Sequence, residues 1–246
     1  MSDDLILEQF VRLLDTLPAG DPWPALEESG FLDLLRSEDD GGAALALEDF
    51  FPLVLAAGAR PRIAGVIPTM VARLNTPAAS AVTDIEAALS GNNARAVAAA
   101  ITPGLMAGAM EQILSTTVDY ASTRKQFGRE ISKFQAIQHN LAIMAEEVTA
   151  ARMAAQAAFV GAPLEVSPQR AAAAKIRTGQ AAQVVAAHAH AIHGAIGMTQ
   201  EFHLHHLTGA LHQWRLAHGG EAYWARELGR WALARPDGLV TLARAM

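Results

Sequence analysis

The chain has 246 residues, of which 51% are hydrophobic, so it can bury a substantial core as one large domain or two small ones. Its formal net charge is -6 and it has no long run of Lys or Arg. This argues against nucleic acid or an anionic membrane as the main partner, since both require a basic surface. The absence of cysteine excludes disulfides, zinc ribbons and thiol nucleophiles. Small molecules and other proteins are the expected partners.

The N-terminal segment MSDDLILEQF begins with acidic residues and continues with the apolar spacing of an amphipathic helix. An export signal would begin with basic residues instead, so we expect a mature, cytoplasmic protein. The longest uncharged run, 96–110, is interrupted by Pro103, Gly104 and Gly108 and is shorter than the roughly 20 apolar residues that cross a bilayer. No transmembrane segment is predicted.

Helical periodicity dominates the chain and strict two-residue alternation is absent, which predicts an all-α fold. Short helices are predicted over 4–16, 24–36, 46–58 and 61–74, separated by breaker sequences such as AGDPWP and SEDDGG. They make up a predicted small N-terminal helical domain, residues 1–76. Residues 77–102 are the least periodic and contain a Gly-Asn-Asn turn signal at 91–93, so a connector is predicted there.

The remaining residues, 103–246, are predicted to form a C-terminal up-down bundle of four or five helices. Thr102 and Pro103 have the chemistry of a helix start, and a helix is predicted from there to about Tyr120. The next helix has an apolar seam with steps of three and four residues, at Phe134, Ile137, Leu141, Met144, Val148 and Ala151. Further helices are expected at 168–193, 200–215 and 220–235. Ser167 is the expected cap of the first of these.

Residues 124–138, RKQFGREISKFQAIQ, crowd polar and aromatic side chains into the junction between two predicted helices. The planar guanidinium of Arg124 can donate two parallel hydrogen bonds to a phosphate or pyrophosphate. Gln126 can hydrogen-bond the edge of a purine or a ribose, and the face of the Phe127 ring lies beside them. Gly128 allows close backbone approach, and the N-terminus of the following helix favours negative charge. The junction can therefore form a nucleotide pocket. The alternative is a capped, solvated turn with Phe127 packed in the core, because short motifs often occur by chance.

The sequence VDYASTRKQFGREISKFQAIQHNLAIMAEEVTAARMAA resembles the C-terminal helical domain of acyl-CoA dehydrogenases. The sequence signature of that domain is an aromatic residue, followed by R-x-Q-F-G and then by F-Q-x-x-Q-x-x-L-A-x-M. It falls here on Tyr120, Arg124, Gln126, Phe127, Gly128, Phe134, Gln135, Gln138, Leu141, Ala142 and Met144. The stretch AIHGAIGMTQEFHLHHL is similar to the family segment Q-I-H-G-G-I-G-F-T, and WPALEESGFLDLL with the acidic-glycine turn after it resembles the N-terminal helical domain. The resemblance covers nearly the whole chain.

In that family the two motifs reach across a dimer interface to the adenine and pyrophosphate of the neighbouring subunit's FAD. The resemblance therefore implies FAD, shared with a partner subunit, as the cofactor. The implied cofactor-binding residues are Arg124, Gln126, Phe127, Ile131, Phe134, Ile137, Ile192, His193 and Gly194. At the second motif the family's glutamine falls on Ala191 and its second glycine on Ala195, which weakens one flavin contact and narrows the turn.

Family members also carry a β-domain between the two helical parts, where it shields the flavin ring and helps to bind the acyl-CoA. Only the connector lies there in this chain, and it is far too short and has no alternating strands. The chain is therefore not expected to enclose a complete flavin site alone.

Acyl-CoA dehydrogenases remove an α-proton with a carboxylate while a hydride leaves the β-carbon for the flavin. One family arrangement places this glutamate just before the last helix, a position that falls on or beside Ala217. The resemblance thus implies that the catalytic base is missing, with His218 or Glu221 as weak substitutes. For Glu221 the alternative is a carboxylate that stabilises the first turn of a helix.

Eight of the nine histidines lie after residue 187. A metal site on a helix needs two ligands on one face, for example four residues apart, and a third ligand nearby. The two groups are His188, His190 and His193, then His203, His205 and His206. No pair among them has that spacing, so no metal is predicted and the histidines are interpreted as polar groups that line the bundle or an interface.

The leading hypothesis is a shortened subunit that pairs with a full-length acyl-CoA dehydrogenase in an α2β2 heteromer. It would complete the partner's FAD site for oxidation of a CoA thioester to its α,β-unsaturated product. The resemblance points to bulky substrates such as steroid side-chain acyl-CoAs. A second hypothesis is an active homodimer that uses His218 or Glu221 as base. A third is a non-enzymatic helical scaffold, against which the intact R-x-Q-F-G motif argues.

Overall fold

The structure, a computed structural model, describes residues 3–91, 93–235, 237, 240–241 and 244. In chain order the regular elements of this part are α1 (Asp3–Thr16), α2 (Trp23–Glu28), α3 (Leu47–Gly58), α4 (Val66–Ala72), α5 (Ile85–Ala88), α6 (Ala94–Thr123), β1 (Lys125–Gln126), β2 (Arg129–Glu130), α7 (Gln135–Gln156), α8 (Pro168–His193), α9 (Leu204–Leu216) and α10 (Glu221–Leu233). Short 3-10 turns lie at Phe31–Asp33, Glu38–Asp40, Pro61–Ile63, Ile131–Lys133 and Gly194–Met198. The predicted all-α fold is confirmed, with one small antiparallel hairpin that the sequence did not reveal.

The N-terminal helices pack around fully buried side chains, among them Phe10, Leu26, Leu32 and Phe50. The predicted helix 24–36 is divided, because Gly30 adopts a left-handed conformation with φ of 74° between α2 and the turn Phe31–Asp33.

A buried cation ties the end of α4 to the earlier N-terminal elements. The guanidinium of Arg73, only 7% exposed, donates to both carboxylate oxygens of Glu27 and, at 2.8 Å, to Asp33. A buried charge of this kind requires such partners, so the Arg73 cluster fixes α4 against α2.

The longest helix, α6, begins at Ala94 and contains Pro103, which corrects the predicted start at Thr102. The Thr-Pro pair has the chemistry of a helix start, but the Thr102 hydroxyl donates to a carbonyl of the preceding helical turn. Burial outweighs this local signal, since every residue of Ala96–Met110 is buried. Residues 94–102 of the predicted connector therefore belong to the bundle.

Helix α6 crosses α3 at a distance that only glycine permits. A Cβ atom on Gly108 would lie 2.0 Å from the carbonyl oxygen of Leu55, and one on Gly58 would lie 2.2 Å from that of Leu105. The two predicted domains consequently share one hydrophobic core along α3 and α6.

The bundle is built from α6, α7 and α8, which pack against one another, with α9 and α10 against α8. The predicted cap is confirmed, because the Ser167 hydroxyl accepts the backbone N–H of Arg170 at 3.4 Å. The predicted apolar seam of α7 is buried at Met144, Val148 and Ala151. These side chains belong to a second core cluster, which lies at the end of the bundle nearest the hairpin.

By length and composition α6 could cross a bilayer, as could the sharply bent pair formed by α3 and residues 61–72 if it is counted as one segment. In α6, however, 83% of the most apolar window is buried inside the protein. Such burial is typical of the central helix of a folded domain.

Candidate functional site

The junction 124–134 is a tight hairpin. Lys125 pairs with Glu130 and Gln126 pairs with Arg129, which leaves Phe127 and Gly128 as a two-residue turn. Both turn residues have positive φ, 50° and 80°, as a type I′ turn requires. Strands of two residues are too short to show alternation in a sequence, so only the polar and aromatic composition of this junction was predictable.

The Phe127 ring projects from the tip of the hairpin and is 91% exposed. Its ring centroid lies 6.1 Å from that of Phe134 in an edge-to-face arrangement. The Arg129 guanidinium lies over the other aromatic ring, 4.2 Å from the centroid of Phe134. The alternative in which Phe127 packs into the core is therefore wrong.

Arg124 and Gln126 stand beside this ring. Both are exposed, and neither side chain makes a hydrogen bond or ion pair with the part of the chain that the structure describes. The Arg124 backbone is fixed at both ends, because its N–H donates to Tyr120 and its carbonyl accepts from Ile131, each at 2.9 Å. A fixed backbone with an unoccupied guanidinium is a suitable arrangement for binding an anion. We refer to Arg124, Gln126, Phe127 and Phe134 as the hairpin surface.

The second predicted segment, 192–194, lies at the end of α8 and is joined to the hairpin surface through Tyr120. The His193 ring stacks on that of Tyr120 with centroids 4.4 Å apart, and Phe202 covers it from another side at 4.8 Å. The Tyr120 hydroxyl also approaches the His193 carbonyl at 3.5 Å. The structure thus brings the two predicted motifs together, one helical turn before Arg124.

The protonation of His193 follows from its contacts. Its Nδ1 atom lies 2.8 Å from the Ala189 carbonyl, which can only accept, so Nδ1 carries the hydrogen. Burial lowers the pKa of His193, which favours the neutral form of the ring. Its Nε2 atom is a buried acceptor with no partner in the described structure. An unpaired buried polar atom is costly and indicates a contact made by another molecule or by water.

The other predicted flavin-contact residues differ in their exposure to solvent. Ile131 and Ile192 are each 7% exposed and belong to the second core cluster, so they support the site from beneath. Phe134 and Ile137 are half-buried against that cluster. Gly194 has φ of 64°, and a Cβ placed there would meet nothing within 4 Å, so its backbone faces open space.

The loop between α9 and α10, where the family's base is expected, is held by a buried lysine that the sequence did not identify. Lys175 of α8 is 1% exposed and donates to the carbonyls of Trp214 and Ala217, each at 2.8 Å, and of Arg215 at 3.2 Å. These acceptors are the unpaired carbonyls at the end of α9. Burial lowers the pKa of Lys175 to about 8.

His218 is directed toward the short helix α5. Its Nδ1 atom lies 3.4 Å from a Glu86 carboxylate oxygen and 3.7 Å from one of Asp84, and its side chain is only 10% exposed. Burial lowers its pKa more strongly than these carboxylates raise it. Trp224 fixes the backbone by donating to the His218 carbonyl at 3.0 Å.

Glu221 is engaged as well. Its carboxylate pairs with Arg215 and lies against Gly179, where a Cβ atom would fall 2.5 Å from the carboxylate oxygen. Glu86, which contacts His218, is also held by Arg95 at 2.8 Å. Both weak substitutes for the base are therefore partnered within the chain. The contact between α5 and the α9–α10 loop joins residues far apart in sequence, and no local pattern signals it.

The histidines of the C-terminal part contact one another and neighbouring polar groups. His190 Nε2 lies 3.0 Å from the Thr208 hydroxyl, and the rings of His205 and His206 are 3.9 Å apart. Among the described residues, no group of three His, Cys, Asp or Glu side chains is arranged to hold a metal ion.

The residues of this region fit the nucleotide part of a flavin. The hairpin surface offers an exposed ring, and a guanidinium and an amide that have no partner among the described residues. His193 adds a buried acceptor that has no partner in the part of the chain that the structure describes. Gly128 and Gly194 both have open space where a Cβ would stand.

Comparison with known proteins places these features in a family. Residues 85–233, more than half of the chain, match the family described as "Acyl-CoA dehydrogenase, C-terminal domain". The acyl-CoA dehydrogenase IpdE2 of Mycobacterium tuberculosis is 40% identical over 98 residues, which cover 40% of this chain and 30% of that protein. The chain thus spans less than a third of the length of the curated relatives it matches.

Two solved structures extend the comparison. A chain of the ChsE4-ChsE5 complex from Mycobacterium tuberculosis is 27% identical, with a TM-score of 0.54 over 58% of this chain and 39% of that one. A chain of the Tcur3481-Tcur3483 steroid ACAD has a TM-score of 0.76 over 93% of this chain and 98% of that one. At 18% identity the second comparison shows the fold alone.

Proposed function

The chain belongs to the acyl-CoA dehydrogenase family, and we propose that it is one subunit of a heteromeric, FAD-dependent acyl-CoA dehydrogenase. In this proposal it completes the flavin site of a longer partner and lacks the catalytic base itself. The reaction is the α,β-desaturation of a CoA thioester with a bulky acyl group.

One observation carries the proposal: the residue at the hairpin tip breaks the local rule for its position. The first position of a type I′ turn favours Asn, Asp or Gly, because its φ is positive. Phe127 occupies it with φ of 50° and leaves its ring 91% exposed. Neither turn geometry nor the core of this chain explains a phenylalanine there. Local rules are broken mainly at functional sites, so a bound molecule or partner that covers the ring supplies the explanation.

The chain's own residues have distinct parts in this proposal. Arg124 binds the pyrophosphate, Phe127 stacks with or borders the adenine, and Gln126 hydrogen-bonds the nucleotide edge. His193, held as the Nδ1–H tautomer, offers its Nε2 atom as an acceptor to a hydroxyl or amino donor. Bound FAD would supply the hydride acceptor, a capacity that no side chain of this chain has.

Two features support a partner that supplies the base and the remaining flavin contacts. Ala217 has no ionisable side chain, and His218 and Glu221 are engaged with α5 and Arg215. Only residues 73–84 separate α4 from α5, which leaves no room for a β-domain. The ChsE4-ChsE5 complex, by its description, contains two different chains, which is the assembly proposed here.

The proposal is tested by co-purifying the chain with a longer acyl-CoA dehydrogenase and measuring flavin per mole of complex. Arg124→Ala should lower flavin affinity about tenfold or more, because a charge-assisted bond to phosphate is lost. Arg12→Ala is the matched control. Arg12 is also an exposed arginine, but it lies on α1 and is not part of the hairpin surface. Equal flavin content in both variants would favour the non-enzymatic scaffold.

A further inference from the structure

His190 lies near the end of α8 and joins that helix to α9. Its Nε2 atom lies 3.0 Å from the hydroxyl oxygen of Thr208. That hydroxyl has a single hydrogen, which it donates to the Leu204 carbonyl of its own helix at 3.2 Å. Thr208 therefore accepts in the contact with His190, so Nε2 carries a hydrogen and Nδ1 of the neutral ring carries none.

The other ring nitrogen of His190 is enclosed. Its Nδ1 atom is buried and has no hydrogen-bond partner in the part of the chain that the structure describes. The turn Gly194–Met198 packs against it, because a Cβ atom on Gly197 would stand 3.3 Å from Nδ1 and 3.1 Å from the Cβ atom of His193. The backbone N–H of Gly194 also donates to the His190 carbonyl. His190 thus contacts both the beginning and the middle of this turn.

The ionisable groups that act on His190 are other imidazoles. His212 and His205 do so from α9, and His193 lies three residues further along α8. The turn Gly194–Met198 has no ionisable side chain. Burial lowers the pKa of His190, and the charges of His212 and His205 lower it further.

The carboxylates of the helices packed against α8 have partners of their own. These pairs are Glu147 with Arg177, Glu221 with Arg215 and Glu111 with Arg152. Helix α6 also presents Tyr120, which stacks on His193. Glu201, between the turn and α9, is exposed. Among the described residues no carboxylate forms an ion pair with His190, so a proton on its ring would create a cation without a counter-ion.

Protonation of His190 would add a hydrogen to Nδ1. With the turn closed, that hydrogen has no acceptor among the described residues, and burying an unpaired polar group or charge is costly. Opening of the turn exposes the ring to water and relieves both costs. Histidine changes its charge between about pH 5 and pH 8, so mild acid is sufficient to drive this step.

We propose that His190 is a positioning residue whose neutral ring keeps the turn Gly194–Met198 packed against it, and that mild acid releases the turn. His190 acts on the flavin site through this turn, which begins at Gly194 and directly follows His193. Release of the turn therefore weakens the flavin contacts of these two residues. The flavin consequence rests on the proposed function, whereas release of the turn does not.

Release is measured by amide hydrogen exchange of residues 194–203 in the full-length chain, expressed as protection relative to the intrinsic exchange rate at each pH. Wild-type protection should fall about threefold to tenfold from pH 7.5 to pH 5.5, since one exposed histidine changes an opening equilibrium by at most about tenfold per pH unit. His190→Gln keeps a donor for Thr208 and cannot gain a charge. Its protection at pH 7.5 should match the wild type, and its fall should be less than about half as large on a logarithmic scale.

Two further variants bracket this result. His139→Gln is the matched control, because His139 is exposed on α7 and should leave the wild-type response unchanged. Thr208→Val removes the acceptor of the His190 Nε2–H, so protection of the turn should already be about threefold to tenfold lower at pH 7.5.

The second reading is the flavin affinity of the complex with a longer acyl-CoA dehydrogenase, followed by flavin fluorescence at the same two pH values. Acid should weaken flavin binding in the wild type and in His139→Gln more than in His190→Gln. A purely structural His190 would change the affinity by the same factor at both pH values.

Protection that does not fall in acid, or that falls equally in the wild type and His190→Gln, would overturn the release of the turn. Release without a His190-dependent loss of flavin affinity would overturn its link to the flavin site. A complex that holds no flavin at pH 7.5 would contradict the proposed function, and hydrogen exchange would still decide the role of His190. Arg124→Ala should lower flavin affinity and keep the acid response of the turn.

Discussion

The Nζ atom of Lys175 lies 2.8 Å from the carbonyl oxygen of Ala217, at the position where the family's catalytic glutamate is expected. The same ammonium donates to the carbonyls of Trp214 and Arg215, so all its hydrogens are used within the end of α9. A loop held in this way has a defined conformation. That loop presents to α5 a histidine and no free carboxylate.

Lys175→Met should destabilise the fold, because it leaves buried carbonyls at the end of α9 without a donor. The expected loss is about 1–3 kcal/mol of unfolding free energy, reduced by the desolvation that the buried ammonium no longer incurs. Urea unfolding followed by circular dichroism measures it. Lys133→Met serves as control and should change stability by less than about 0.5 kcal/mol, since Lys133 is exposed.

The pH dependence of stability should carry the signature of this lysine. Burial lowers its pKa from the ordinary 10.5 to about 8. Between these values the unfolded chain retains a proton that the folded chain has released, so stability rises with pH in this window. The wild-type free energy of unfolding should rise by roughly 2–3 kcal/mol relative to Lys175→Met from pH 8 to pH 10.5. A relative fall would mean that the three carbonyls raise the folded pKa instead.

Phe127→Asn separates stability from flavin binding. It creates the Asn-Gly pair that type I′ turns favour, so the lone chain should keep its stability or gain up to about 1 kcal/mol. Flavin retention by the complex should nevertheless fall, because the exposed ring is lost. Thermal unfolding of the lone chain and flavin content of the complex give the two readings. Loss of stability with full flavin retention would show that Phe127 serves the turn.

The two weak substitutes for the base should be dispensable. His218→Gln and Glu221→Gln, introduced into the assembled complex, should keep turnover of a CoA thioester within about twofold when measured with an artificial electron acceptor. A general base raises the reaction rate about 10²–10⁴-fold. A loss of turnover in that range for either variant would show that this chain supplies the base, and would support the homodimeric enzyme.

The sequence predicted the long helices of the bundle well, because their apolar periodicity is strong and Ser167 caps α8 as expected. It misplaced the start of α6, since the Thr102-Pro103 signal is local whereas burial of the surrounding alanines depends on α3 and α8. The hairpin escaped notice because its strands have two residues each.

For the candidate site, the motif identified the residues, and the structure supplied their relationships. Tyr120 joins the two motifs by stacking on His193, and no spacing in the sequence indicates that contact. Lys175 reads as one more polar residue of an alanine-rich helix, and only the packing of α9 against α8 makes it a cap. Contacts across the fold were therefore the part that sequence patterns could not provide.

The central claim is that this chain completes a flavin site and does not hold one alone. The most direct measurement is the visible flavin spectrum, per mole of protein, of the chain purified alone and after co-expression with a longer acyl-CoA dehydrogenase. A shared flavin site predicts a colourless lone chain and about one flavin per pair of unlike chains in the complex. A lone chain that carries stoichiometric flavin would contradict it and make the homodimeric enzyme the better description.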